Sequence, residues 1–336
     1  MVKRKDKDVE SIDLDKVIEL SRSRFKNKEK ALGNQMVRGT QISKPKNDSD
    51  FVCWKDSSWS VMTSIRGLPF GKIVQIAGRP DSGKSTHAME FMKRAQDQGY
   101  IVILWDAEGK FSADRFDDYF HGQSEDLLVV TNKMILEGSD LVDAYIHSMR
   151  ELYPQKKILV VWDSVGGTLP TAEFTKSKRE SRQMAEASKE NAIVCRGFVQ
   201  LMEQYRDSET GEYTIGVLLI NQTYANIGAP GQKESGGQKV EYFSSLIIQL
   251  VRKKDLFKQK DGVKMKMGIT ARARMKKNHL FTGEGSIAQI DLDITAGGVA
   301  VSKSDPAFKL VGIEQQSKND FEEGTLDEED EAFDVA

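Results

Sequence analysis

The sequence predicts an α/β protein with a mostly parallel central sheet, helices on both faces and antiparallel strands added at one edge. Three observations predict it. From Gly67 to about Gly298, short β-branched runs alternate with amphipathic helical stretches, the arrangement that builds parallel sheets. The first run is followed by Gly78-Arg79-Pro80-Asp81-Ser82-Gly83-Lys84-Ser85-Thr86, a glycine-rich turn set between a strand and a helix. After residue 251 polar and apolar residues alternate, as they do in edge strands with one face in water.

Residues 73–77 (Ile-Val-Gln-Ile-Ala) form the first clear strand. A helix follows over 85–98, with Ala88, Phe91, Met92 and Ala95 on one face and Gly99 at its end. Residues 101–105 return as a buried strand. Leu141, Val142, Tyr145, Ile146, Met149 and Leu152 give the period of a helix over 139–152, which feeds the apolar run 158–162. That run, Ile-Leu-Val-Val-Trp, has the β-branched character of a central strand. A long polar helix spans about 179–205, a turn 207–212, and a strand 215–220. A glycine-rich loop over 223–237 precedes a strand at 246–251. Residues 265–269 and 287–294 then read as the antiparallel edge. No internal repeat is apparent.

The chain has 336 residues, 39% hydrophobic and 30% charged, enough apolar material for a large core, which excludes a mainly disordered protein. No stretch approaches the roughly 18–20 uncharged apolar residues of a membrane helix, and the charged start leads into no signal segment. A soluble cytoplasmic protein is expected, with no membrane partner. Cys53 and Cys195 lie far apart without His or Cys neighbours at ligand spacing, which argues against a disulfide framework or zinc site. The net charge of -2 is uneven: residues 320–336 carry nine of the 51 acidic residues and no Lys or Arg. Such a block repels itself and reads as a disordered acidic tail, leaving 49 basic against 42 acidic residues in the remainder.

The turn at 78–86 fits G-x-x-x-x-G-K-[ST] in full, in the strand-to-helix setting the motif needs. Its glycines let backbone N–H groups close around phosphate oxygens, and the helix N-terminus adds its dipole. Lys84 reaches the β and γ phosphates, and Ser85 can ligate Mg²⁺. The expected cofactors are therefore ATP and Mg²⁺. Asp163 ends the apolar strand, where a carboxylate would face the Mg²⁺. Asp106 and Glu108 follow the neighbouring strand, and Glu108 is the candidate for positioning the attacking water.

Gly67-Leu68-Pro69-Phe70-Gly71-Lys72-Ile73-Val74-Gln75-Ile76, running into the phosphate loop, resembles the RecA family of strand-exchange recombinases, bacterial and phage (UvsX-like) members alike. Asp106-Ala107-Glu108 looks like the family's catalytic-glutamate motif and Val161-Trp162-Asp163-Ser164-Val165 like its second nucleotide motif. Leu219-Ile220-Asn221-Gln222 looks like the motif opening the second DNA-binding loop. These matches fall in family order over roughly residues 60–298, and Asn221-Gln222 followed by Gly236-Gly237 is more particular than a phosphate loop alone.

The resemblance implies a RecA-like phosphate-loop ATPase core over 56–300. It also implies an N-terminal arm for subunit contact over 1–55, a short extension at 301–319 and the tail at 320–336. In the arm, Ile12, Val17, Ile18, Phe25 and Leu32 give one apolar face to a helix ending near Gly33. The resemblance makes Gln222 the side chain that senses the γ phosphate and couples it to the following loop, whose Asn226, Lys233, Gly236 and Gly237 would meet DNA. Arg115 looks like the adenine-stacking arginine of archaeal and eukaryotic recombinases, or is a surface helix arginine. Lys176, Lys178, Arg179 and Arg182 fall where the family places its first DNA-binding loop, or begin a charged helix.

Between Val251 and His279 stand eleven Lys or Arg residues against Asp255 and Asp261, an excess that could bind a phosphate backbone. Two family lysines here reach the neighbouring subunit's nucleotide. Lys277 looks like the first, and the second position holds His279, with Lys276 or Arg274 as alternative charges. The family's folded C-terminal domain looks absent, as in shorter phage members, which suggests a bacteriophage product acting in host cytoplasm. The implied function is an ATP-dependent recombinase, a DNA-dependent ATPase that forms a filament on single-stranded DNA and exchanges strands with a homologous duplex. A single-strand-binding protein and a loading mediator are its expected protein partners. Rival readings are a ring-shaped helicase of the same fold and a non-catalytic recombination mediator.

Overall fold

The computed structural model describes residues 47–54, 58–171, 180–207, 210–225, 232–260, 262–280 and 287–310. The arm helix near Gly33, most of the arm, the acidic tail and Lys176, Lys178, Arg179 and Asn226 lie outside the described residues, as do the side chains of Arg182 and Lys233.

Two short strands open the described chain, β1 (Phe51–Cys53) and β2 (Gly67–Pro69), paired antiparallel with Val52 opposite Leu68 and helix α1 (Ser58–Thr63) between them. The core then runs β3 (Ile73–Gly78), α2 (Lys84–Asp97), β4 (Ile101–Asp106), α3 (Ala113–Phe120), β5 (Leu127–Val130), α4 (Ile135–Leu152), β6 (Ile158–Asp163) and α5 (Glu180–Gln204). It continues through β7 (Ile215–Ala225), β8 (Gln232–Glu234), α6 (Gln238–Phe243), β9 (Leu246–Lys260), β10 (Val263–Asn278), β11 (Gln289–Thr295) and β12 (Gly298–Val301). These strands form one ten-stranded sheet in the order β12-β11-β10-β9-β3-β7-β6-β4-β5, with β8 beside β7. Strands β9, β3, β7, β6, β4 and β5 pair in parallel, while β9 to β12 descend antiparallel to the edge. The predicted α/β class and antiparallel edge are what is found.

Strand period explains why the parallel runs are apolar throughout. Successive side chains point to opposite faces, and both faces are covered. Val74, Ile76, Leu104, Val161 and Ile220 enter a core with Phe91 and Met92 of α2. Their chain neighbours Ile73, Ile103, Trp105, Trp162 and Leu219 enter a second core with Val142 and Ile146 of α4 and Phe198 of α5.

In that second core Trp105 stacks on Trp162 with ring centroids 4.3 Å apart, and its indole N–H donates to the Asn132 carbonyl at 2.7 Å. Gly138 of α4 packs directly on Trp105, so that a Cβ there would overlap the ring. Alanine normally improves a helix by about 1 kcal/mol over glycine. Here Gly138→Ala is expected to lower the unfolding free energy by ~1–3 kcal/mol, because both indoles are fully buried and neither has room to retreat. A urea denaturation midpoint equal to that of the wild type would show that the tryptophan pair yields.

Three expectations are corrected in extent. The strand expected at 246–251 continues to Lys260, and its partner β10 runs back from Val263, so the pair forms a long hairpin that reaches past β11. The loop expected over 223–237 begins as strand, with Thr223, Tyr224 and Ala225 paired to Glu234, Lys233 and Gln232 of β8. The helix expected from 139 starts a turn earlier, at Ile135.

Candidate active site

Three parallel strands, β3, β6 and β4, end beside β7, which runs on to Ala225. In register, Gly78 of β3 lies beside Gln222 of β7, and Asp106 of β4 beside Asp163 of β6. The crevice outside the carboxyl ends of such strands is where α/β sheets hold ligands.

The turn 78–86 occupies the first of these ends. Gly83 has φ of +89° as the N-cap of α2, a conformation that favours glycine, and a Cβ there would press on the end of the Ile294 side chain of β11. Asp81 also has a positive φ, +58°. Arg79, Pro80, Asp81 and Ser85 are exposed, whereas Ser82, Lys84 and Thr86 are buried. The Lys84 ammonium donates to the Arg79 carbonyl at 2.8 Å across the turn. Burial pushes its pKa below the usual lysine range, against the pull of Asp163, Glu108 and Asp81. A desolvated ammonium at a helix N-terminus is a ready partner for phosphate.

Ser85 donates from Oγ to Oδ2 of Asp163 at 2.8 Å. This pair of oxygens, beside Lys84, fits a hard divalent cation that takes its other ligands from water and phosphate. Among the described residues no group of three or more His, Cys, Asp or Glu side chains is placed to hold a metal unaided. Burial raises the Asp163 carboxyl to about 6, outweighing its hydrogen bond from Ser85. Arg115 donates from Nη2 to Thr86 Oγ1 at 2.9 Å and lies 5.7 Å over the Phe120 ring, which brings its guanidinium to the start of α2.

Beyond β4 the two carboxylates divide their work. Asp106 accepts from the backbone N–H groups of Gly109, Lys110 and Phe111 at 2.9, 3.1 and 3.1 Å, folding the loop that carries Glu108. Glu108 faces the crevice. Its Oε1 accepts from Gln222 Nε2 at 2.6 Å and from the Ser164 hydroxyl, and its Oε2 pairs with Lys110 Nζ at 2.6 Å. Burial would raise this carboxyl, but the donors Lys110, Ser164 and Gln222 prevail and hold it below the ordinary glutamate value. Gly167 leaves the room that Glu108 occupies, since a Cβ there would press on Glu108 Cγ at 2.5 Å.

The sequence reading therefore brought together Lys84, Ser85, Asp163, Glu108, Gln222 and Arg115, and it missed Ser164 and Lys110. Both missed residues stand within two positions of a singled-out carboxylate, a signal that spacing alone left unread.

Gln222 continues into the loop that β8 closes. Buried Asn221 donates to the Ser235 carbonyl at 2.9 Å, and the Ser235 N–H donates to the Gln222 carbonyl at 2.8 Å. Gly236 and Gly237 have φ of +79° and +87°, and side chains there would meet Val165 and Ser188. The structure thus gives these two glycines a turn and close packing against α5.

The basic stretch is less free than its composition implied. Arg272 and Lys253 pair with Asp291 of β11, and Arg252 and Lys266 with Asp255. Lys276 pairs with Glu241 at 3.2 Å. Lys277 donates to the carbonyls of Glu241 and Tyr242 at 2.9 and 3.1 Å, so within one chain its described bonds hold it to the end of α6 rather than to the phosphate loop. His279 is held in place by its backbone N–H, which donates to the Ser245 carbonyl.

A family model described as the RecA N-terminal domain matches residues 20–298. The chain is similar to the RecA protein of Ureaplasma parvum serovar 3, 29% identical over 224 residues, covering 65% of this chain and 60% of that relative. It is 28% identical over 291 residues to the RecA protein of Clostridioides difficile (80% and 76% covered) and 26% identical over 310 residues to that of Mycobacteroides abscessus (90% and 80%). These relatives are bacterial, and nothing in the comparison supports the phage origin suggested by the short C-terminal stretch. No helix among the described residues is long and apolar enough to cross a membrane. With a match that runs over most of its length, the chain belongs to the RecA family.

Proposed function

We propose that this protein is an ATP-dependent recombinase that assembles on single-stranded DNA, pairs it with a homologous duplex and exchanges strands. The observation that carries this reading is the bond between Glu108 and Gln222. It joins the carboxylate beside the phosphate loop to the strand that runs on, through Tyr224, into the loop closed by β8. Nucleotide state and loop position would then bias one another, as a two-state switch requires.

In this reading Gly78 to Thr86 hold the triphosphate, Lys84 neutralises charge on its outer phosphates, and Arg115 stacks on the base. Ser85 and Asp163 hold Mg²⁺, which when bound offsets the charge of the phosphates. Glu108 orients the attacking water and accepts its proton as the new O–P bond forms and the bridging bond to the γ phosphorus breaks, leaving ADP and inorganic phosphate. Lys277 would act on a neighbouring subunit's nucleotide, after leaving the carbonyls it holds here. The segments 173–187 and 223–237 would meet DNA through Lys176, Lys178, Arg179, Arg182, Asn226 and Lys233, and self-association would give a filament.

Homologous strand exchange between a labelled single strand and a duplex, run with ATP, without it, and with a non-homologous duplex, tests the proposal. Exchange that requires both ATP and homology is expected. Unwinding of a forked duplex without exchange would assign the chain to the helicases instead, and neither activity would favour a loading mediator.

The cation site carries its own pH prediction. Asp163 titrates at about 6 in the nucleotide-free site, is protonated below that value and must lose its proton to hold Mg²⁺. Mg²⁺-dependent nucleotide affinity is therefore expected to be level above pH 7 and to fall by up to about tenfold per unit below pH 6. Fluorescent-nucleotide titrations between pH 5 and 8, with Asp163→Asn as the comparison lacking this group, measure it. Parallel profiles for the two proteins would remove Asp163 from the cation site.

A further inference from the structure

Among the described partners of Glu108, Lys110 is the one that comes from the surface. Ser164 and Gln222 are packed within the crevice and both donate to Oε1. Among the described residues Lys110 alone takes Oε2, at 2.6 Å, with its own side chain 77% exposed while that of Glu108 is 15% exposed. The lysine sits on a short loop whose backbone is already fixed by Asp106, so its aminoalkyl arm is the part free to swing. Preceding it, Gly109 has φ of +68°, and a Cβ there would meet nothing within 4 Å.

With Oε1 held by two donors, Oε2 is the oxygen through which Glu108 can accept a hydrogen bond from water in line with the γ phosphate. An ammonium there competes with that water for the lone pairs and also withdraws basicity from the carboxylate. We propose that Lys110 restrains Glu108, covering its working oxygen and holding down hydrolysis. Lys110 is a positioning residue in this account, acting only through Glu108. The inference rests on the reading of the site as an ATPase.

The size of the effect is bounded by the interaction. A pair with one exposed partner restrains by a small factor, so releasing it is expected to raise DNA-free turnover by roughly two- to fivefold.

The test measures DNA-free kcat and KM for ATP in the full-length wild type, Lys110→Met, Lys110→Arg, Glu108→Gln and the Glu108→Gln/Lys110→Met double variant. Expected are a higher kcat with little change in KM for Lys110→Met, a wild-type rate for Lys110→Arg, and no effect of Lys110→Met once Glu108 is glutamine. An unchanged or lower kcat in Lys110→Met would overturn the proposal, as would a rise of equal size in the Glu108→Gln background or a change confined to KM. Lys110 is exposed, so the methionine variant should fold, and an unaltered melting temperature checks this. A wild type that hydrolyses no ATP, with or without DNA, would instead reject the reading of the site itself, and the restraint with it.

Discussion

Lys84→Ala is expected to lower ATP turnover by roughly 10²–10³-fold or more, to the background of the assay. The ammonium is buried at the head of α2, where its pKa is already depressed by lost hydration. Among the described residues its hydrogen bond goes to the Arg79 carbonyl, with the carboxylates of Asp163, Glu108 and Asp81 attracting it without a direct bond. Removing it therefore takes little from the folded state and much from the triphosphate complex, in which the charge would act at low dielectric. The two effects separate experimentally. The melting temperature without nucleotide should stay near that of the wild type, while the stabilisation that ATP and Mg²⁺ confer on the wild type should largely disappear. Wild-type turnover in this variant would mean that the turn 78–86 binds something other than the reacting phosphates.

Glu108→Gln should show the opposite division, with nucleotide binding kept and turnover reduced by ~10²–10⁴-fold, the range of general-base catalysis. The two side chains have the same shape, and an amide oxygen can still accept from Gln222 and Ser164. Its NH₂ group then faces Lys110, donor against donor, and it has no basicity to offer water. Single-turnover hydrolysis alongside equilibrium nucleotide binding measures both halves. Turnover within a fewfold of the wild type would take Glu108 out of the water-orienting role and shift attention to Asp106, whose oxygens are already committed to three backbone N–H groups.

The parallel half of the sheet was legible because burial on both faces leaves an unmistakable apolar run, as in 158–162, and because a complete phosphate-loop motif fixes a strand before it and a helix after it. What stayed hidden was short or set by distant contacts. β1 and β2 have three residues each and are defined by each other across α1. β5 has four, paired to β4. The outer part of the β9–β10 hairpin is rich in lysine, which strand propensity disfavours, and it is held by pairing rather than composition.

The same distinction holds in the site. Lys84, Ser85 and Asp163 followed from motif and strand position. The contact of Glu108 with Gln222 joins residues 114 positions apart, and neither spacing nor the family resemblance, which tied Gln222 to the γ phosphate, pointed to it. The basic surplus at 251–279 misled in part, because counting charge within a segment overlooks Asp291 and Glu241, which reach it from elsewhere in the fold.

The position of β3 also governs how the protein can be made. The strand that ends in the phosphate loop is flanked by β7 and β9, both of which leave the ribosome long after it. At the usual pace of synthesis the strand must wait ~10 s or more for Leu246–Lys260 to emerge and cover its second edge. Until β7 follows, both edges of an apolar strand are open to any other chain nearby, and one stays open until β9 follows. The nucleotide site is thus among the last parts of the molecule to close, and newly made chains are expected to depend on chaperone protection until it does.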